Sequence, residues 1–259
     1  EDEIKKKQYT TVEELLRGQL GLDVVRSGSL GSQTSIFMRA QGSASTLVII
    51  DGVQANANTT GAFDFGRLSL ENIERIEILR GPQSIQWGAD ASGGVISIST
   101  KKGKGEPTNS IFFEGGSFGT FNQALRSSGA DKICDYSVSA SLLHSEGISS
   151  LAEDRGGRGA DGTINKALSS RLGCDFTKDT RIELIGRGNL THREFDNTFG
   201  LIDRGTSSNI QDFYISSPVS TNFGGWWDLK ITPSMAYSDV FTIGETAQSA
   251  FINRTILLD

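Results

Sequence analysis

The sequence predicts an α+β domain followed by antiparallel transmembrane β-barrel strands. Three observations predict it. Residues 1–106 mix a helical period with short, continuously apolar runs. From residue 107 onward, apolar and small polar residues alternate with period two over segments of about ten positions. The 259-residue composition, with 31 Gly, 4 Pro and 36% hydrophobic residues, suits many short strands and turns better than a helical bundle.

In the first part, TTVEELLRGQLGLDVV places Thr11 and Glu14 at capping-box spacing. It sets Val12, Leu15, Leu16 and Leu20 on one helical face, with Gly21 as the C-cap. TLVIIDGV is an apolar run that stops at Asp51-Gly52, as a strand buried on both faces and closed by a tight turn does. ENIERIEILRGP runs as a second strand to the break at Gly81-Pro82, and GGVISIST, opening on Gly93 and Gly94, is a third. Three short strands with helices between them make a small sheet domain.

In the second part, CDYSVSASLL alternates Tyr136, Val138, Ala140 and Leu142 with Ser137, Ser139 and Ser141. LSSRLGCDF sets Leu168, Leu172, Cys174 and Phe176 against Ser169, Arg171 and Asp175. RIELIGRGNL sets Ile182, Leu184 and Leu190 against Arg181, Glu183, Arg187 and Asn189, and WDLKITPSMAY reads as one further strand. A soluble sandwich also has a wet outer face. Strand length, small polar inner residues and aromatics near strand ends (Phe112, Phe113, Tyr136, Phe176, Trp226, Trp227, Tyr237) favour a barrel in an outer membrane. SSGADKI and TKDT are tight turns. EGISSLAEDRGGRGADGT and the stretch from Glu194 to Gly225 read as long loops on the opposite rim, where a ligand would be recognised.

The formal charge of −6 leaves no basic stripe to neutralise phosphates, which argues against nucleic acid, and Lys5-Lys6-Lys7 reads as a solvated tail. Cys134 and Cys174 match no metal spacing and make no disulfide framework. They read as small apolar fillers on the outward face, and the sequence leaves open whether they pair. No apolar run approaches the roughly 20 residues of a transmembrane helix, and no signal peptide opens the chain. Two histidines without HExxH, and no P-loop, leave metal hydrolysis and nucleotide chemistry without ligands. Gly115-Gly116-Ser117-Phe118-Gly119 matches the nucleophile elbow of α/β-hydrolases, with Ser117 as nucleophile and His144 or His192 as base. That elbow needs a helix directly after the serine, and GTFNQALRSSG reads as a hairpin strand, so an enzyme is not the expectation.

The order of GLDVVRSGSLGSQTSIFMRAQGSASTLVIIDGVQAN and NIERIEILRGPQSIQWGADASGGVISISTKKG over residues 10 to 103 resembles the plug of a TonB-dependent outer-membrane transporter. Within that superfamily, SIFMRAQGSASTLVIIDGVQAN most resembles the cobalamin transporters; ferric-siderophore and haem transporters share the scaffold. The resemblance implies a plug over residues 1–106, lacking its N-terminal TonB-contacting segment. It implies the first part of a barrel over residues 107–259, about seven strands, cut short at the C-terminus. It further implies a Gram-negative outer membrane with its lipid, the TonB energy-coupling complex and cobalamin or another metal chelate as partners, and active uptake of a large scarce nutrient. A non-transporting receptor or adhesin built on the same loops is the other class.

The resemblance also implies which plug loops face ligand. The first is SGSLGSQTS, where Ser27, Ser29, Ser32, Gln33, Thr34 and Ser35 offer small donors and Gly28 and Gly31 let backbone approach. The second runs through Ala55, Asn56, Ala57, Asn58, Thr59 and Thr60, and the third presents Gln86 and Trp87. Asp51, Gly52, Arg80, Gly81, Pro82, Gly93 and Gly94 form the structural motif, with Asp51, Glu77 and Arg80 able to pair within the plug or against the lumen. Arg171, Arg181, Glu183 and Arg187 would face that lumen. Some cobalamin transporters order a loop with calcium, for which Glu153, Asp154 and Asp161 are the oxygen ligands available, although Arg155 and Arg158 intervene.

Overall fold

The computed structural model describes residues 9, 11–56, 60–149, 152, 159–196, 206–243 and 248–258. Its architecture is an α+β domain packed against a curved antiparallel wall, and the wall does not close within this chain.

The domain opens with a helix at Val12–Arg17, whose N-cap Thr11 accepts from the Glu14 amide at 3.2 Å. The helix stops at Gly18, short of the expected cap at Gly21. Val12 and Leu16 already supply the fully buried face, whereas Leu20, at 88% exposure, has nothing to pack against. Gly21 instead takes a positive φ of 77° in the turn into the next strand.

Strands β1 (Leu22–Arg26) and β2 (Thr34–Met38) form an antiparallel pair. β3 (Thr46–Ile50), β4 (Val53–Gln54), β5 (Ile73–Arg80) and β6 (Gly94–Thr100) form a sheet in the order β4-β3-β6-β5. β3 is buried at all five positions and runs parallel to β6, which its continuous apolar run anticipates. Ile36, Met38, Val48, Ile50, Ile73, Ile96 and Ile98 join Val12 and Leu16 in one core, closed by Phe63 and Phe65. Gly94 lets β6 start beneath β2, since a Cβ there would come 2.2 Å from Met38 Sδ.

The wall is a ten-stranded sheet among the described residues. It begins with β7 (Thr108–Gly116), β8 (Thr120–Ala130), β9 (Cys134–Ser145), β10 (Thr163–Asp175), β11 (Thr180–Phe195) and β12 (Thr206–Ser216). β13 (Val219–Phe223), β14 (Trp227–Ile231), β15 (Pro233–Ile243) and β16 (Gln248–Leu258) complete it. β12 and β13 pair with successive parts of β11, and β14 and β15 return antiparallel to them. They are two crossings interrupted at Ser217-Pro218 and at Thr232, so WDLKITPSMAY is not one strand. Pro218 has no N–H to give the ladder, and its carbonyl accepts from Glu183 N at 2.8 Å. Eight crossings result, where about seven were expected.

Successive residues of the wall separate by environment. Ser137, Ser139, Ser169, Glu183, Thr191 and Asp212 are buried against the domain, while Val138, Leu168, Leu172, Leu184, Phe213 and Met235 are exposed on the outer face. The connections also differ by rim. Residues 131–133, 176–179 and 224–226 make the short turns, while the end of β9 and start of β10, and the end of β11 and start of β12, lie at the other end, here called the upper rim. The stretch from Glu194 to Gly225 is therefore not a loop: it carries β12 and β13, whose Ser-, Thr- and Asn-rich sequence looked like loop composition. Phe112, Phe113 and Tyr237 lie mid-strand, away from either rim.

Cys134 and Cys174 are not independent fillers. The β9–β10 register sets them opposite one another, with Cα atoms 4.1 Å apart, and they form a disulfide. Forty residues separate them in sequence, so only the strand pairing reveals the bond.

Candidate functional site

The domain meets the wall through charged and hydrogen-bonded side chains rather than a dry apolar seam. Toward the short-turn rim, Asp51 follows β3 at a φ of 52° and holds β6 by accepting from Thr100 N and Oγ1 at 2.9 and 2.8 Å. Arg171 of β10 reaches Asp51 at 3.2 Å and also pairs with Glu183 of β11. Glu183 takes a further bond from Lys102 Nζ at 3.0 Å, just past β6. Arg181 then links Glu183 (2.9 Å) to Asp175 (3.1 Å) and Asp135. Two domain charges are thereby tied to three wall strands, and the side chains of Arg171, Asp51 and Glu183 are each exposed by 10% or less.

A second cluster lies toward the upper rim. Asp64 caps a short 3-10 turn at Phe65–Arg67 by accepting from Gly66 N at 3.1 Å, and accepts from Thr34 N at 2.9 Å with the same oxygen. Its other oxygen pairs with Arg193 of β11 at 2.7 Å. Arg67 pairs with Asp212 of β12 at 2.6 Å, and its carbonyl accepts from Asn165 and Asn189. Burial opposes the Arg67 charge, but Asp212 and Asp64 outweigh it and hold the guanidinium above its ordinary range. Ser69 and Asn72 add hydroxyl and amide bonds to Ser141 and Ser169.

The first expected ligand stretch touches this upper cluster. Ser29 donates to the Asp161 carbonyl, and Gly31 packs against Thr163, so the turn is pinned to the wall. Ser29, Ser32 and Thr34 are buried, whereas Ser27 and Gln33 are exposed and Gly28 and Ser35 half-buried. Thr34 and Ser35 belong to β2 rather than to a loop.

The second stretch is less available. Ala55 is buried, and Asn56 accepts from Val48 N at 2.7 Å while donating to Thr46 O and Gly61 O at 2.9 and 2.7 Å. Asn56 thus splices this segment onto β3, a task its Asn-rich surroundings disguise. Thr60 is exposed, and Ala57, Asn58 and Thr59 lie outside the described residues. Asn56→Ala is expected to cost about 2–3 kcal/mol, because two carbonyls and an amide of the sheet lose a buried partner; urea unfolding monitored by circular dichroism checks it.

Gln86 and Trp87 end a one-turn helix at Ser84–Trp87, with Trp87 40% exposed. Trp87 lines a cleft of about 810 Å3 together with Glu74, Arg75 and Glu77 of the domain and Arg181 and Lys230 of the wall. It faces that space rather than packing on the sheet. Glu77 pairs with Arg75 at 3.4 Å, and Arg80 donates to Leu20 O at 2.8 Å, so neither reaches the wall. The structural motif closes on itself: Gly81 N donates to Gly93 O at 3.1 Å and Arg80 pairs in register with Gly94, leaving Pro82 exposed.

Residues 1–95 match the family model of the TonB-dependent receptor plug domain. The wall is matched by solved structures. The siderophore receptor PirA from Acinetobacter baumannii is similar with a TM-score of 0.68 at 18% identity, over 96% of this chain and 45% of that one. A mutant ferric enterobactin receptor from Pseudomonas aeruginosa, in complex with enterobactin, gives 0.67 at 17% identity, over 99% and 44%. The ferripyoverdine receptor of the outer membrane of Pseudomonas aeruginosa, bound to ferripyoverdine, gives 0.71 at 12%, over 96% and 36%. The chain spans less than half the length of these structures, and at such identities they establish its fold: a plug followed by antiparallel barrel strands.

Between plug and wall lies Glu71. Burial raises its carboxyl above the ordinary value; Lys101 and a bond from Asn122 pull it back, and Glu114 adds to the rise. A raised folded-state value means Glu71 stabilises the fold below the ordinary carboxylate range and loses that contribution as pH climbs through its folded value. Glu71→Gln is therefore expected to raise the unfolding midpoint at pH 7 and leave it unchanged at pH 4, checked by paired urea melts.

Other expected chemistry finds different surroundings. β8 follows Ser117 directly, through a turn at Phe118 and Gly119, so the helix of a nucleophile elbow is absent; His192 instead bonds Asn209 at 2.8 Å. Glu153 and Asp154 lie outside the described residues, while Asp161 is buried with its carbonyl on Ser29. Arg187 lies over the Tyr214 ring at 4.4 Å, inside the wall. Asp64, Arg67, Arg193 and Asp212 escaped the sequence reading, and the alternation of β11 and β12 was the one signal that could have placed the last two inward.

Proposed function

We propose that this chain is the plug and first part of the barrel of a TonB-dependent outer-membrane transporter that takes up a ferric siderophore or similar metal chelate into a Gram-negative cell. The carrying observation is the polar seam: a plug with its own apolar core, held to the wall by ion pairs that water can replace during transport more readily than it can enter a dry interface. The plug match and the siderophore receptors of similar fold support this reading. They favour a siderophore over the cobalamin that the phrase SIFMRAQGSASTLVIIDGVQAN suggests.

In this reading the outer face meets lipid, TonB supplies the energy from outside the chain, and the chelate docks at the upper rim. Ser27, Gln33 and Ser35 offer it small donors there, on a turn fixed through Asp64 and Asp161. Binding by the intact receptor in detergent, with a ferric catecholate, cobalamin and haem compared, tests the ligand class. Saturable binding of the ferric catecholate alone is the expected result. Binding of cobalamin alone would reverse the ligand assignment, and uptake unaffected by loss of TonB would defeat the transport reading.

A further inference from the structure

Asp135 and Asp175, the two aspartates on Arg181, are each the chain neighbour of a disulfide cysteine. Cys134 and Cys174 face outward, so the residues after them face the lumen. The bond therefore fixes the spacing of two carboxylates on its opposite face. Arg181 comes from β11 and must pass over β10 to reach Asp135 on β9. It passes at Gly173, where a Cβ would lie 2.1 Å from Arg181 Nη2 and 3.2 Å from Asp135 Oδ2. The missing side chain is the gap that the guanidinium occupies. From there Arg181 bonds Glu183 at 2.9 Å, and Glu183 holds Lys102 of the plug directly and Asp51 through Arg171.

We propose that the Cys134–Cys174 disulfide and Gly173 are positioning elements for plug attachment: together they set Arg181, which sets Glu183 as the receptor of the plug's Lys102 and Arg171–Asp51 contacts. A covalent bond on the outer face thus governs how firmly the plug is held on the inner face. This rests on the plug-and-wall reading but not on any ligand or on TonB, neither of which its test requires.

The test is hydrogen exchange of the intact receptor in detergent, read by mass spectrometry over plug residues 46–54 and 94–104, with the upper parts of β9 and β10 as an internal reference. Opening the disulfide with a phosphine reductant, or by Cys134→Ser with Cys174→Ser, should speed exchange in the plug segments roughly fivefold and leave the reference unchanged. Gly173→Ala should do the same with the disulfide intact. Arg181→Met should match both, and reduction should then add nothing; Arg181→Lys should recover part of the protection. Unchanged plug exchange on reduction overturns the proposal. So does an effect of reduction that persists in Arg181→Met, or one that spreads equally to the reference strands, which would mark general loosening of the wall.

Discussion

Arg171→Met is expected to weaken plug attachment by about 3–5 kcal/mol, the range for removing one partner of a buried ion pair. Arg171 answers two carboxylates at once, Asp51 of the plug and Glu183 of the wall, and all three side chains are exposed by 10% or less. Methionine fills most of the volume but leaves both acids without their shared cation. The plug has one tryptophan, Trp87, against Trp226 and Trp227 in the wall, so a urea titration followed by fluorescence should show an early transition absent from the parent. Adding Asp51→Asn to Arg171→Met should recover part of the loss, since one stranded charge disappears. A double variant no better than the single one would mean that Asp51 acts through Thr100 alone.

Asp64→Ala should be of similar size, about 3–5 kcal/mol, for a different reason. One carboxylate serves four groups: the amides of Thr34 and Gly66, and the guanidinium groups of Arg193 and Arg67. Its loss strands Arg193, leaves Arg67 to Asp212 alone, and frees the start of β2 together with the turn before it. The same variant should therefore weaken chelate binding as well as stability, whereas Arg193→Met should affect stability more than binding, because the backbone bonds to Thr34 and Gly66 survive. Isothermal calorimetry and urea melts on the two variants separate these effects.

The parts of this fold that were legible in the sequence are those where one strand's neighbours impose a pattern on it. Four consecutive apolar residues, Leu47 to Ile50, made β3, sheltered on both faces, readable, and the period-two runs from residue 134 to 190 separated the lumenal from the outer face. The β1–β2 pair was hidden because the turn between them is Ser- and Gly-rich and masks a strand beginning at Thr34. Neither break in the long wall hairpin has a periodicity signature, since Pro218 and Thr232 interrupt hydrogen bonding while the faces stay in phase across each break. Of the candidate site, Arg171, Arg181 and Glu183 could be placed facing inward. Asp51 could be named as a residue able to pair against the lumen, but the upper pairs could not be read, because Arg67–Asp212 and Arg193–Asp64 join residues 145 and 129 positions apart and depend on how plug and wall dock. Asn56 shows the opposite difficulty: a residue type common in solvated loops is here a buried splice between strand and loop.

Among the described residues, the fourteen buried side chains of the main core all come from the first hundred residues, and Tyr214 is the one hydrophobic residue of the wall packed against them. Little oily surface would therefore be uncovered if the plug shifted as an intact body, and most of the resistance to such a shift is electrostatic. Traction on it should consequently meet a barrier set by a few discrete ion pairs, which removal of one charge lowers and added salt barely moves, because pairs this sheltered are weakly screened.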